Sequence, residues 1–354
     1  MPFTPAQTLV GGYLLHLSTS SLLTQTGRVL GISGVVDGAI YGDKSRWRWS
    51  LIAGMVLGPF LGSFIGDVGV DNGVAMWAAL PWGRVGLAGL LVGLGSRVSV
   101  TAKVVRVEIM AEILQLGSGC TSGHFLCGVS RLSRRSLVAT ATFFTTAVIT
   151  ASTFPAPLPL PSLSGISGKG YELSLPTNKV FLVLLAVLVA INRSQWDLER
   201  YLVSKYPTDA RRPPSWVKEV PYFVSGLVFA LGLQISGMIS PLKVLSFLQP
   251  LRSNFDPSLA MVVLGGVLPN TLHYQDLKHQ AKLVWEEWRV PSRTDIDWRL
   301  IAGSLAFGAG WGLAGVCPGP GLVGLSQSVM TGGTDKVFGW LSAMLVGMAL
   351  ARQI

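Results

Sequence analysis

Charged residues are scarce in this chain. Only 13% of its 354 residues are Asp, Glu, Lys or Arg, whereas 49% are hydrophobic. A soluble domain carries a charged fraction of about 25%, so the composition argues against a soluble enzyme and indicates a surface that faces lipid. Cysteine is scarcer still, and the three cysteines exclude a fully paired disulfide framework and favour free thiols.

The chain also lacks the short motifs of several enzyme classes. It contains no G-x-x-x-x-G-K-S/T loop, no H-E-x-x-H and no Cys-x-x-Cys pair. Its formal charge of +10 is carried by short segments between apolar runs, such as residues 44–48 and 278–299, which is typical of cytoplasmic loops under the positive-inside rule. We therefore predict that the protein is not an enzyme and has no cofactor, no metal site and no nucleic-acid partner.

Glycine, by contrast, is abundant, with 42 residues that fall largely within apolar runs. This is expected where membrane helices approach closely or break. Nine apolar segments have the composition of helices that cross about 30 Å of hydrocarbon: residues 8–23, 50–66, 85–96, 137–152, 179–191, 222–239, 258–268, 299–315 and 337–350. Three more apolar stretches, 27–40, 117–129 and 316–329, are interrupted by glycine. We predict an all-α, multi-pass protein of the plasma membrane with short re-entrant helices.

The chain divides into two halves of similar pattern. Residues 1–152 form the predicted first half, 153–178 a connector rich in Pro, Ser and Gly, and 179–354 the second half. The triplet Ile32-Ser33-Gly34 recurs as Ile235-Ser236-Gly237. This repetition predicts two pseudo-symmetric halves, with Ser33 and Ser236 as polar linings at matching breaks.

A polar, helix-forming stretch at residues 98–115 has no counterpart in the second half. Its removal aligns the residues that precede Cys120 with those that precede Cys317: Leu116, Gly95, Gly93 and Leu90 then correspond to Leu313, Gly310, Gly308 and Leu305. We predict that residues 98–115 are an insertion. One hypothesis is that they are translated intron sequence, which sequencing of the spliced transcript would test.

The first candidate site surrounds Cys120. Glycines on both sides of this cysteine let the backbone leave helical geometry and expose N–H groups, and a helix that starts after Cys120 would direct its positive end to the same place. Such a site would hold an anion, and the same field favours a thiolate. The predicted residues are Gly119, Cys120, Thr121, Ser122, Gly123 and His124. The alternative is that Cys120 is a small packing residue in a helix seam.

The second candidate site surrounds Cys317, where Pro318 ends one helix and permits another, with Gly319 beside it. Two half-helices that meet near the membrane midplane would place Cys120 and Cys317 on opposite sides of one site. Cys127, seven residues after Cys120, is a further candidate for substrate contact. For His124 and Cys127, helix packing is the alternative, as membrane anchoring is for Arg131, Arg134 and Arg135.

At these residues the chain resembles the YeeE/YedE family, also called the sulphur-transport domain family. The resemblance rests on residues 27–34, 117–136, 226–248 and 308–323, and above all on the GCTSGH and CPGP motifs within them. It implies about nine transmembrane helices with short re-entrant helices, arranged as two pseudo-symmetric halves.

The resemblance also implies a permease that takes up thiosulfate, passed inward at a constriction by transient S–H···S hydrogen bonds. By this resemblance the role falls to Cys120 and Cys317. The thiosulfate-transporting branch carries a further cysteine in its first glycine-rich break, where this chain has residues 29–33 without one. Sulfide, persulfide and sulfite therefore stay open as substrates beside thiosulfate.

Two other functional interpretations remain. A membrane sulphurtransferase-like protein would form a persulfide on Cys120 and pass sulphur to a partner, so a soluble sulphur-carrier or sulphurtransferase protein is a candidate partner besides the anion and the lipid bilayer. A membrane scaffold without transport would tolerate the loss of both cysteines. The paired helix breaks argue against the scaffold. The sulphurtransferase predicts a reactive cysteine that faces one aqueous side only, whereas a permease predicts access from both sides in turn.

Overall fold

The computed structural model describes residues 3–63, 77, 79–98, 120–155, 178–205, 214–253, 255–277 and 288–353. Within this part of the chain the structure consists of helices and loops, so the predicted all-α architecture is confirmed there. The elements are α1 Pro5–Thr26, α2 Ile32–Ile40, α3 Arg46–Gly62, α4 Trp82–Val98, the π-helix π1 Thr121–Val129, α5 Arg134–Thr153, α6 Asn178–Lys205, α7 Ser215–Ser236, α8 Pro241–Phe247, the π-helix π2 Val263–Val267, α9 Leu268–Leu277, α10 Trp298–Ala314, α11 Pro318–Thr331 and α12 Thr334–Ala351.

In the part of the chain that the structure describes, four helical stretches are long and apolar enough to cross a membrane. They are Arg134–Thr153, Lys179–Leu202, Trp216–Ser236 and Trp298–Thr331. The last comprises α10 and α11, which are separated by a break before Cys317. Most of the predicted insertion at 98–115 and of the predicted connector at 153–178 lies outside the described residues. The structure describes only residues 98, 153–155 and 178 of these two segments.

Among the described helices, three end at a glycine in the left-handed conformation. α1 ends at Gly27 with φ 68°, α7 at Gly237 with φ 76°, and α10 at Gly315 with φ 71°. A side chain would strain this backbone, which is why glycine is favoured at the position. Each glycine is followed within a few residues by another helix, namely α2, α8 and α11. The predicted helix breaks thus consist of a helix, a left-handed glycine and a second helix.

The two Ile-Ser-Gly triplets occupy different structural positions. Ser33 lies in the first turn of α2, whereas Ser236 is the last residue of α7. The counterpart of Gly237 is therefore Gly27, and the pairing of Ser33 with Ser236 is wrong. Both triplets contain a glycine, but Gly237 has the left-handed conformation that ends a helix, whereas Gly34 lies within α2, so the match does not show where a helix ends.

The glycines paired by the second alignment make matching contacts. A Cβ at Gly95 of α4 would lie 2.3 Å from the Phe307 nitrogen of α10, and a Cβ at Gly310 of α10 would lie 2.6 Å from the Ala88 oxygen of α4. In the same way, Gly93 packs α4 against α12, and Gly308 packs α10 against α5. Helix backbones meet closely only where the side chain is absent.

The long helices also pack in corresponding pairs. In the first correspondence, α3 packs on α7, and π2 and α9 pack on α1. In the second, α4 packs on α12, and α10 packs on α5. The pairs α1 with α7 and α4 with α10 complete the centre of the bundle. The long helices α1, α3, α4 and α5 of the first half therefore bury much of their surface against the second half.

One end of the bundle, here called the basic face, gathers arginines. Asp37 of α2 pairs with Arg97 at the end of α4 and lies 3.3 Å from Arg352 beyond α12. Arg135 lies 3.6 Å from Asp297 in the loop before α10. In that loop, hydrogen bonds from Arg293 hold the pKa of Asp295 below its ordinary value, so this carboxylate stays ionised beside the arginines.

Candidate functional site

Two of the described helices begin directly after a cysteine. Cys120 is the N-cap of π1 with φ −104° and ψ 158°, and Cys317 is the N-cap of α11 with φ −115° and ψ 170°. Both have extended backbones, as a residue that precedes a helix requires. Pro318 is favoured as the first residue of α11, because an N–H there would have no helical partner. Each thiol therefore lies at the positive end of a helix.

Both cysteines line one cavity, here called the central cavity. Its lining residues come from α1, α2, π1, α7 and α11 and the segments beside them: Leu15, Ile32, Cys120, Thr121, Ser122, Phe125, Leu126, Phe229, Leu233, Met238, Val262, Cys317, Pro318, Gly319 and Pro320. None of these described residues is charged. Cys120 is only 1% exposed and Cys317 only 5%, so the thiols are shielded in this conformation.

Hydrogen bonds fix the two sulphur atoms. The Thr121 hydroxyl donates to Cys317 Sγ at 3.4 Å, which links π1 to the cysteine of the second half. The Gly123 N–H donates to Cys120 Sγ, also at 3.4 Å. Ser122 Oγ lies 3.2 Å from Cys120 Sγ and accepts a bond from the Ile32 N–H of α2 at 3.1 Å. The site is thus built from helix ends that are distant in sequence.

The structure brings most of the predicted site residues together. Cys120, Thr121, Ser122, Cys317, Pro318 and Gly319 line the central cavity, and Gly123 contributes its N–H. A Cβ at Gly319 would lie 3.4 Å from Leu233 and from Phe229, which is ordinary contact. Gly119 lies outside the described residues.

Besides Gly123 and Cys127, the predicted residues Ser33, Ser236 and His124 are not part of this lining. Ser33 points away from it and lies 3.1 Å from Ser96 of α4. Ser236 donates within its own helix to the Leu233 carbonyl at 3.1 Å. His124 Nδ1 lies 2.9 Å from Ser136 Oγ of α5. Their side chains face neighbouring helices, because adjacent helical residues differ in direction by about 100°.

The sequence did not indicate the apolar part of the lining. Phe229 and Leu233 lie one turn apart on α7 and share a face, as i and i+4 residues do, and Leu15 faces them from α1. In a membrane helix most faces are apolar, so hydrophobicity does not show which face lines a cavity. The one usable signal in the sequence was the four-residue spacing of Phe229 and Leu233 within the glycine-rich segment 226–248, which places both side chains on one face of a helix.

Cys127 lines a second cavity nearer the basic face, here called the basic-side cavity. Its lining residues are Thr19, Ser20, Leu23, Val29, Cys127, Ser130, Arg131, Asn270, His273 and Tyr274. Neither Asn270 nor His273 was predicted, because each is a single polar residue in a segment without a motif. Within the described part of the chain, no three His, Cys, Asp or Glu side chains converge as a metal site.

The chain is similar to a family of unknown function and to proteins named as probable transporters. Residues 218–354 match a family described as "Family of unknown function (DUF6691)". Two proteins of Xylella fastidiosa (strain Temecula1 / ATCC 700964), each named "Probable transporter", are 39% identical over 132 residues and 38% identical over 144 residues. The first alignment covers 37% of this chain and 85% of the relative, and the second covers 41% and 90%. Each relative is therefore less than half as long as this chain. No solved structure gives a significant match.

Proposed function

The chain belongs to the family of these probable transporters, and we propose that it is a multi-pass permease of the YeeE/YedE type for a small sulphur-containing anion, with thiosulfate as the first substrate to test. A single observation carries the proposal: Cys120 and Cys317, each the N-cap of a helix, line one cavity. The apolar helices and the transporter relatives make it a membrane protein.

The hydrogen bonds of the two thiols suit an anionic substrate. Cys317 Sγ accepts from Thr121, and Cys120 Sγ accepts from Gly123. The Cys317 thiol, which accepts from Thr121, keeps its S–H hydrogen for an anion in the cavity, whereas the Cys120 thiol also shares a hydrogen bond with Ser122 Oγ in which either atom is able to donate. Each helix N-terminus stabilises a negative charge in the cavity by about 0.3–1 kcal/mol. The site therefore attracts an anion without a bound metal cation.

An uncharged cavity lining also suits passage of an anion rather than its storage. A guanidinium or ammonium group at this point would bind a dianion strongly and slow its release. Thiols are weak hydrogen-bond donors with a polarizable sulphur. They offset part of the free-energy cost of dehydrating the anion, and they bind it weakly enough for it to leave. An ion passes through a pore when its binding sites are favourable enough for the ion to enter and weak enough for it to leave.

The packing supports two pseudo-symmetric halves, residues 1–152 and 179–354, joined by the connector 153–178. Corresponding helices make corresponding contacts across the bundle, and relatives of less than half the length align over most of their own sequence. The arginines of the basic face favour its placement on the cytoplasmic side of the plasma membrane under the positive-inside rule.

Growth of a sulphur-uptake-deficient host on limiting thiosulfate tests the function. We expect the wild-type chain to restore growth, and Cys120→Ala and Cys317→Ala each to abolish it at equal membrane expression. Full rescue by both variants would contradict the proposal. A persulfide on purified Cys120, with growth that does not depend on Cys317, would instead favour the sulphurtransferase.

A further inference from the structure

The basic-side cavity holds an arginine without a carboxylate partner. Arg131 donates from Nε to the Cys127 carbonyl at 3.3 Å and from Nη1 to the Pro291 carbonyl at 3.2 Å. Among the described residues, no carboxylate lies within ion-pair distance of it, although nearby Arg135 lies 3.6 Å from Asp297. Buried ionisable residues of membrane proteins commonly mark the pathways of ions or substrates, and a guanidinium without a carboxylate partner keeps donors for an anion.

A second open polar group faces the same cavity. His273 Nε2 is buried without a hydrogen-bond partner among the described residues, and His273 lines the cavity beside Arg131. A buried ring nitrogen without a partner is costly unless a ligand or water satisfies it. Arg131 and His273 therefore leave a charged donor and a ring nitrogen available in one cavity.

A hydrogen-bond network holds this wall in place. Asn270 Oδ1 lies 2.8 Å from His16 Nδ1, and Asn270 Nδ2 donates to Thr19 Oγ1 at 3.0 Å. The His16 and His273 rings meet edge to face, with centroids 5.9 Å apart. Because Asn270 is fully engaged, it orients the neighbouring side chains and leaves ligand binding to Arg131 and His273.

The π-helix π1 connects the two cavities. Its N-cap Cys120 lines the central cavity, and Cys127, two turns later, lines the basic-side cavity. Leu126 lines the central cavity and its carbonyl accepts a hydrogen bond from Asn270 at 3.3 Å. An anion that leaves the thiols along π1 would next meet Arg131.

We propose that the basic-side cavity is a second anion site, which takes a small sulphur oxyanion through the Arg131 guanidinium and the His273 imidazole. The place of this site after the thiols on a transport path rests on the proposed function. The anion site itself rests on Arg131, which has no carboxylate partner among the described residues, and on His273 Nε2, which has no hydrogen-bond partner among them. The fixed charge draws the anion from the uncharged central cavity towards the basic face.

The test uses purified full-length protein in which Cys120→Ala and Cys317→Ala remove the central thiols. Thermal stability is measured against sulfate and thiosulfate concentration, with chloride at equal ionic strength as the reference. We expect both oxyanions to raise the Tm in a saturable manner. Arg131→Met should raise the half-saturating concentration by at least about tenfold. A hydrogen bond to a charged group contributes roughly 1.4 kcal/mol or more, and its loss weakens binding by about that factor.

The matched control is Arg134→Met, which removes the same charge from an exposed position three residues later. It should leave the half-saturating concentration unchanged. His273→Phe keeps a ring of similar bulk without the nitrogens, so it should weaken binding even where Arg131→Met fails to fold. Equal oxyanion effects in Arg131→Met and Arg134→Met, or no saturable effect in the parent protein, would overturn the anion site.

These outcomes are separate from those for the permease. Thiosulfate uptake by the wild-type chain tests the permease and does not require the stability measurement. Uptake without Arg131-dependent stabilisation would retain the permease and remove the second site. Stabilisation that depends on Arg131 in a chain without uptake would retain the site and remove the permease.

Discussion

At the scale of single residues, Thr121 and Ser122 are neighbours that bond in different directions. Thr121 donates to Cys317 in the second half, whereas Ser122 accepts from Ile32 of α2. We expect Thr121→Val, which keeps the side-chain shape, to lower thiosulfate uptake several-fold. The free energy of unfolding should fall by only about 1 kcal/mol, since one hydrogen bond is lost.

The control for Thr121→Val is Thr142→Val in α5. The Thr142 hydroxyl donates only within its own helix, to the Val138 carbonyl at 2.8 Å. Uptake and thermal unfolding of both variants are compared at equal protein levels. Equal uptake by the two variants would show that the Thr121 bond to Cys317 has no part in transport.

His124 tests the distinction between a site residue and a packing residue. Its ring contacts Ser136 of α5 and not the central cavity. We therefore expect His124→Gln and Ser136→Ala each to lower the free energy of unfolding by about 1 kcal/mol. The half-saturating thiosulfate concentration for uptake should not change. A several-fold change with His124→Gln alone would place the imidazole on the substrate path.

At the scale of helices, glycines determine how closely α4 approaches its neighbours. A Cβ at Gly95 would lie 2.3 Å from the Phe307 nitrogen, whereas a Cβ at Gly86 of the same helix meets nothing within 4 Å. We expect Gly95→Ala to destabilise the protein by about 1–3 kcal/mol, because α4 and α10 must separate. Gly86→Ala is the control and should be neutral or stabilising by up to about 1 kcal/mol. Thermal unfolding in detergent measures both, and equal effects would contradict the packing.

Sequence reasoning was most successful where helices break. Glycine and proline beside Cys120 and Cys317 carry a strong local signal, because they change the backbone conformations that are accessible. Ser33 and Ser236 were misassigned, since identical triplets can lie on opposite sides of a helix end. The orientation of Phe229 and the pairing of Asn270 with His16 depend on tertiary contacts, which a single sequence does not contain.

At the scale of the whole molecule, the helices of each half pack largely on the other half. Neither half alone can bury these surfaces. We expect residues 1–155 and 178–354, expressed together as two chains, to assemble and to co-purify through a tag on one of them. The first chain alone should be degraded or aggregate. Failure of the two chains to associate, with both present in the membrane, would contradict the two-half organisation.

The central claim is that substrate passes the two cysteines of the central cavity. The most direct measurement is uptake of radiolabelled thiosulfate into proteoliposomes that contain the purified wild-type protein, Cys120→Ser, Cys317→Ser or Thr142→Val. The account predicts uptake by the wild-type protein and by Thr142→Val, and a loss of at least about tenfold with either cysteine variant. Uptake by both cysteine variants at the wild-type rate would contradict it.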